Sequence, residues 1–371
     1  MKIAILGTRG IPNYYGGFEQ FAEFFSVYLV EKGHEVYCYN SHNHKFQEKT
    51  FHGVHIIHQN DPEYKYGTFG QFIYDYNCIR DSRRRDFDII LQLGYTSNSI
   101  WFFLLPKRPI IITNMDGIEW KRSKYSKPIQ QFLRFAERLA AISSDYLVSD
   151  SLGIKKFLKE RYKKESTYIA YGAHPFNNPD EHIIKEYNIE KDKYNMIMAR
   201  FEPENNLDMV LEGVALNKDD NTPILVVGNH ETKYGNYLKQ KFKNYKNIRF
   251  MGGIYNLEHL NNLRYHSKFY FHGHSVGGTN PSLLEAMASK AFIAAHNNDF
   301  NKGVLKDNAV YFSNAKEVEK ILKTFKKNDN LQLIQNNFEA IKNEFNWEKI
   351  NGQYLQLFEE CMVRNQRRIK K

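Results

Sequence analysis

Residues 271–288 read Phe-His-Gly-His-Ser-Val-Gly-Gly-Thr-Asn-Pro-Ser-Leu-Leu-Glu-Ala-Met-Ala. A strand end passes into a loop of small residues, and Pro281 then opens a helix at a position where its missing N–H costs nothing. Leu284, Met287 and Ala288 recur at the spacing of a buried helical face. The same strand, loop and helix unit repeats outward from here, with strands predicted at Met196–Ala199, Pro223–Gly228, Ile248–Met251, Lys268–Phe271 and Phe292–Ala295. An earlier series has strands at Lys2–Leu6, Glu35–Tyr39, Val54–His58, Asp88–Leu93, Pro109–Thr113 and Tyr146–Ser149, and helices near 70–82, 127–142 and 151–161. Alternation of this kind implies parallel sheets covered on both faces. Because the pattern restarts after Tyr171-Gly172-Ala173, the chain is read as α/β with two doubly wound, Rossmann-like lobes, 1–175 and 176–346. The turn residues Asn177-Asn178-Pro179-Asp180 place the hinge near 172–190. A last helix over Trp347–Met362 is expected to return to the first lobe with the rest of 347–371, and Arg367-Arg368-Ile369-Lys370-Lys371 to form a solvated basic end.

The length of 371 residues suits two domains, and 42% hydrophobic with 25% charged residues excludes disordered, collagen-like and disulfide-stapled classes. Cys38, Cys78 and Cys361 are widely spaced and lack a CxxC pair, which argues against a zinc site and for a reducing compartment, with the cytosol as the expected location. The start, Met1–Pro12, is too short in apolar residues for a signal peptide and is expected to be part of the fold. No apolar run approaches the roughly 18 residues a membrane helix needs. A net charge of +10 attracts nucleic acid, anionic lipid or phosphorylated small molecules without choosing among them.

Two loops carry candidate chemistry. Gly16-Gly17 stands before a helix, where free amides and the helix dipole favour a diphosphate; the pair serves equally as a tight βα turn. The first loop matches neither a dinucleotide fingerprint nor a P-loop. In the quoted stretch the amides of Ser275, Val276, Gly277, Gly278, Thr279 and Asn280 are placed to hold a phosphoryl or sugar group, with Glu285 one turn inside the helix to accept from hydroxyls. A capping loop beside a surface glutamate explains the same residues. His272 and His274 alternate at a strand end and read as structural or substrate-contacting; no metal-ligand spacing is present.

Pro-Ser-Leu-Leu-Glu-Ala-Met-Ala after such a loop resembles the retaining glycosyltransferases of family 4, which have the GT-B fold with an interlobe cleft. That family carries two glutamates in an E-x7-E motif. Glu285 matches the second, whose family role is to bind the nucleotide ribose, while the first falls on Gly277. The family's diphosphate-neutralising Arg and Lys, five apart, align with Arg200 and Asn205, so one cation is lost. Pairing of Arg200 with Glu202 or Glu204 is the competing reading. These departures, with Gly7–Glu19, Asp116–Arg122 and His274–Asn280, are similar to a bacterial rhamnosyltransferase-like subgroup using dTDP-β-L-rhamnose.

The resemblance implies a first lobe that binds acceptor and a second that binds the nucleotide sugar. It implies front-face attack, in which the acceptor hydroxyl passes its proton to the departing phosphate, and neither a cofactor nor a metal. Arg200 and Asp116 are the catalytic candidates. Donor binding is assigned to Gly16, Gly17, Arg200, Asn205, the loop 275–280 and Glu285. Asp116, at the carboxyl end of a strand where α/β sheets bind ligands, joins Glu19 and Glu119 as acceptor candidates. Glu119 equally suits a salt bridge with Lys121 or Arg122, and Glu19 a cap on its own helix.

The expected reaction is transfer of L-rhamnose, with retention, to a lipid-linked glycan in capsule, O-antigen or cell-wall polysaccharide assembly, at the inner face of the cytoplasmic membrane. The amphipathic stretch Lys121–Ala141 suits anionic lipid, though a core helix with a charged side has the same pattern. A UDP- or GDP-hexose donor is the near alternative, and a nucleotide-sugar epimerase the alternative of another class. Nucleic acid is not an expected partner, since no nucleic-acid module is present. A nicotinamide dehydrogenase is disfavoured because Asn40 and Ser41, not an acidic residue, close the second strand.

Overall fold

The computed structural model describes residues 1–122, 124–218 and 220–369, with only the backbone for 366–369. The expected basic end therefore lies outside the described side chains, and Lys370 and Lys371 outside the described residues. The chain divides into two units, the first made of 1–120, 126–171 and 347–371, the second of 172–346 together with Lys121–Tyr125.

In the first unit β1 (Lys2–Leu6), β2 (Glu35–Ser41), β3 (Thr50–Phe51), β4 (Val54–Gln59), β5 (Ile89–Leu93), β6 (Ile110–Asn114), β7 (Tyr146–Ser149) and β8 (Thr167–Tyr168) form one sheet. Its order is β3-β4-β2-β1-β5-β6-β7-β8. Every pairing is parallel except β3 with β4, where a hairpin through His52 and Gly53, both at positive φ, adds an antiparallel edge that the alternation did not predict. β5 and β6 are buried along their whole length, as central strands of a sheet covered on both faces must be.

The helix Trp347–Ile369 packs within this unit. Tyr354 lies between Phe21 and Phe25 of the helix Gly17–Glu31, with ring centroids 4.7 and 5.2 Å away. Its hydroxyl accepts a 2.8 Å hydrogen bond from Asn114 Nδ2 at the end of β6. A residue 240 positions away thus helps fix the strand end from which Asp116 departs.

The second unit contains β9 (Asn195–Met198), β10 (Ile224–Val227), β11 (Ile248–Gly252), β12 (Phe269–His272), β13 (Ile293–His296) and β14 (Val310–Phe312), all parallel in the order β11-β10-β9-β12-β13-β14. Phe269, Phe271, Phe292 and Phe312 are fully buried in its core. Strand order reverses between β9 and β12 here and between β1 and β5 in the first sheet, so each unit has its own topological switch point, where open α/β sheets bind ligands.

Candidate functional site

In the second unit the loops leaving β9 and β12 meet at the switch point. Asn206 Nδ2 donates to the Gly273 carbonyl at 2.7 Å, and Ser275 donates to the Glu204 carbonyl through its amide at 3.0 Å and its hydroxyl at 2.7 Å. Position 273 must be glycine, because a Cβ there would stand 2.1 Å from the Asn205 carbonyl oxygen. Asn298 and Asn301 each hold the His274 carbonyl from the far side at 3.0 Å. Asn280 caps the helix Pro281–Ala288 by accepting from the Ser282 amide at 2.9 Å, the geometry expected of a good N-cap.

Arg200 is exposed, and among the described residues its guanidinium makes no ion pair. Glu202, the competing partner from the sequence, instead lies 3.8 Å from Lys124 Nζ. Asn205 turns inward: it is 3% exposed and its amide donates to the Arg200 carbonyl at 2.8 Å, so it shapes the loop that carries Arg200. Glu285 Oε2 receives a 2.5 Å bond from Arg264, a fully buried guanidinium that also donates to Asn261 Oδ1 at 3.0 Å. Arg264 went unnoticed in the sequence, although its spacing from Leu260 puts it on the buried face of the helix Leu257–Tyr265.

The imidazoles of His272 and His274 stack with centroids 4.4 Å apart and planes at 16°. Burial, and then the adjacent His274 and His296, push the His272 pKa far down; burial, then Arg200 and Arg122, pull that of His274 down to about 3. Both rings are neutral at physiological pH, so His274 can offer hydrogen bonds beside Arg200 without adding charge.

In the first unit the glycine loop is held by side chains. Arg9 donates its amide to Glu19 Oε1 at 3.0 Å and forms a two-point contact with Glu63 at 2.8 and 3.0 Å. Glu19 thus ties the loop to its helix, in place of the self-capping considered from sequence. The Gly16 amide is taken by Asn13 Oδ1 at 3.2 Å. Gly7, at φ +86°, lies so near β5 that a Cβ would meet the Leu93 carbonyl oxygen at 2.3 Å.

Asp116 follows β6 at φ +48°, its amide held by Asn114 Oδ1 at 2.9 Å. Glu119 is buried, and its amide donates to the Tyr95 hydroxyl at 3.1 Å. Glu137 organises the neighbourhood: it accepts from Trp120 Nε1 at 3.0 Å and from the Tyr162 hydroxyl at 2.5 Å, while burial raises its pKa. Tyr171 is a buried phenol whose pKa is raised first by burial and then by Asp116, Asp150, Tyr354 and Glu19. Lys121–Tyr125 does not continue into the helix Lys127–Ser143 but belongs with the second unit, so the single amphipathic stretch expected over Lys121–Ala141 is broken in two.

The three cysteines are free and buried. Among the described residues no cluster of three or more histidine, cysteine or acidic side chains is placed to hold a metal, and no helix is long and apolar enough to cross a membrane.

Residues 179–340 match the family "Glycosyl transferases group 1", and residues 106–174 match a domain of unknown function, DUF1972. Across 95% of this chain and 97% of its own length, an uncharacterized glycosyltransferase of Methanocaldococcus jannaschii is 24% identical. A sucrose-phosphate synthase from Thermosynechococcus elongatus superposes with a TM-score of 0.80 at 13% identity, covering 98% of this chain and 99% of that one. WaaG, a glycosyltransferase involved in lipopolysaccharide biosynthesis, gives 0.72 at 12% identity over 96% and 99%. The fold is GT-B, residues 179–340 are similar to group 1 glycosyltransferases, and these matches support a glycosyltransferase of the family 4 kind.

Proposed function

We propose that this protein transfers L-rhamnose from dTDP-β-L-rhamnose, with retention, to a lipid-linked glycan during surface polysaccharide assembly. The carrying observation is the meeting of the Arg200 loop and the 272–280 loop at the β9/β12 switch point, with Glu285 one turn inside the following helix. Arg200 neutralises the leaving diphosphate as the anomeric carbon loses it, a task for which fixed donors are effective. Loop amides from Ser275 to Asn280 bind the same anion, and Glu285, steadied by Arg264, accepts from the ribose. Asp116 and Glu19 orient the acceptor, with Glu119 behind them. Gly277 in place of the family's first glutamate accords with a 6-deoxy sugar.

The proposal includes contact with an anionic membrane, and features of the first unit support it. The helix Lys127–Ser143 packs beside the short helix Ser99–Leu104, and Phe102, Phe103, Phe135 and Ile142 are exposed near Arg134 and Arg138. Co-sedimentation with vesicles containing anionic lipid is the expected result, and its absence removes this part of the reading.

The purified protein is tested for transfer and hydrolysis with dTDP-rhamnose, UDP-glucose and a GDP-hexose. Turnover of dTDP-rhamnose above the others supports the proposal; preference for UDP-glucose with indifference to dTDP-rhamnose rejects it. Conversion of a donor alone into its epimer would make the protein an epimerase.

A further inference from the structure

We propose that Arg122 is the second cation of the donor site, taking the charge role that Asn205 cannot fill; the proposal rests on the nucleoside-diphosphate reading above. The residue at 205 is neutral, 3% exposed and bonded to the Arg200 carbonyl, so no positive charge can come from there. Lys121–Tyr125 supplies one from elsewhere in the chain. The segment belongs with the second unit, and Lys124 anchors it to Glu202, two residues beyond Arg200. Arg122, half-buried, lies two residues before that anchor.

Arg122 and Arg200 act together on the His274 imidazole, at the start of the small-residue loop. Two guanidinium groups around one neutral ring repel each other, a cost that a bound dianion offsets. Lys124 meanwhile occupies Glu202, the carboxylate nearest Arg200 in sequence, so Arg200 remains available to a ligand. Guanidinium groups present paired donors that match phosphate oxygens, and two of them can grip adjacent phosphates of a diphosphate. Arg122 is therefore a binding residue for the leaving group.

The test is calorimetric titration of the full chain with dTDP and UDP, and with thymidine and uridine as phosphate-free controls. Wild type, Arg122→Ala, Arg122→Gln, Arg122→Lys and Arg200→Ala are compared after thermal melts. Arg122→Gln keeps length and polarity, so a folding defect in the alanine variant does not decide the result. Loss of one charged contact should weaken diphosphate binding roughly tenfold to a hundredfold. Arg122→Lys should recover part of that loss, and nucleoside binding should stay within about twofold of wild type. If Arg200→Ala weakens diphosphate binding while both neutral Arg122 variants bind as wild type, the inference falls and the proposed function stands. If the neutral variants lose diphosphate and nucleoside alike, Arg122 shapes the loop and the inference again falls. If wild type binds neither diphosphate, the proposed function and the inference fail together.

Discussion

Substitution of Arg264 by methionine removes a charge from the interior of the second unit and strands its partner. Arg264 is 0% exposed and holds Glu285 Oε2 at 2.5 Å and Asn261 Oδ1 at 3.0 Å. Breaking a buried ion pair from one side costs about 3–5 kcal/mol, because the remaining charge has lost its partner but not its desolvation. The Glu285 side chain retains 21% exposure, so the stranded carboxylate can rehydrate, and the lower end, about 3 kcal/mol, is expected. For a unit of this size each kcal/mol lowers the melting temperature by roughly 2–4 °C, which gives a drop of about 6–12 °C in differential scanning calorimetry. Arg264→Met combined with Glu285→Leu should recover part of the loss, since an apolar pair of similar bulk is often neutral. A single variant melting within about 2 °C of wild type, or two single-variant effects that simply add, would refute the argument that the pair is coupled.

Tyr354→Phe leaves Asn114 Nδ2 without its acceptor and should cost about 1–3 kcal/mol, seen as a lower urea midpoint at unchanged slope; no change in midpoint contradicts it. Gly7→Ala places a side chain at φ +86° and 2.3 Å from the Leu93 carbonyl oxygen. The backbone strain alone is about 1–2 kcal/mol, so a variant as stable as wild type in chemical denaturation would show that the loop can shift freely. Asp75 is buried against the Ser97 hydroxyl at 2.5 Å, and burial raises its pKa to about 7. Its folded pKa lies above its unfolded one, so the group favours folding most below about pH 4 and loses that contribution as pH rises towards 7, by about 1.4 kcal/mol per pH unit. Asp75→Asn should therefore gain on wild type between pH 5 and 8; equal pH dependence of the two proteins would refute the shift.

The central strands were legible because a sheet covered on both faces gives them apolar runs, as at residues 89–91 and 110–112. β3 and β8 were not, since two residues carry no periodicity. Pro281 and Asn280 announced their helix correctly, through chemistry local to its first turn. The helix expected near 127–142 is likewise found, as Lys127–Ser143 with Pro128 in its first turn. Arg264 and Glu137 illustrate a different limit. Each is a charged residue at an apolar-face position, and only the tertiary partners Glu285, Trp120 and Tyr162 explain why it is buried.

The hydrogen bonds at the switch point of the second unit bear on the anion site proposed above. Near Arg200, Glu202 pairs with Lys124, the Glu204 carbonyl accepts from Ser275, and the Arg200 carbonyl accepts from Asn205. His274 is neutral, so it neither competes with an anion for Arg200, as a carboxylate would, nor adds a cation of its own. The absent glutamate at 277 fits the same logic. Gly277 sits at φ +136° with no atom within 4 Å of where a Cβ would stand, so a glutamate there would find space but a backbone that side chains disfavour. The loop conformation itself is thus committed to glycine, and the loss of that carboxylate is built into the backbone. A glutamate at this position would therefore call for a different loop backbone.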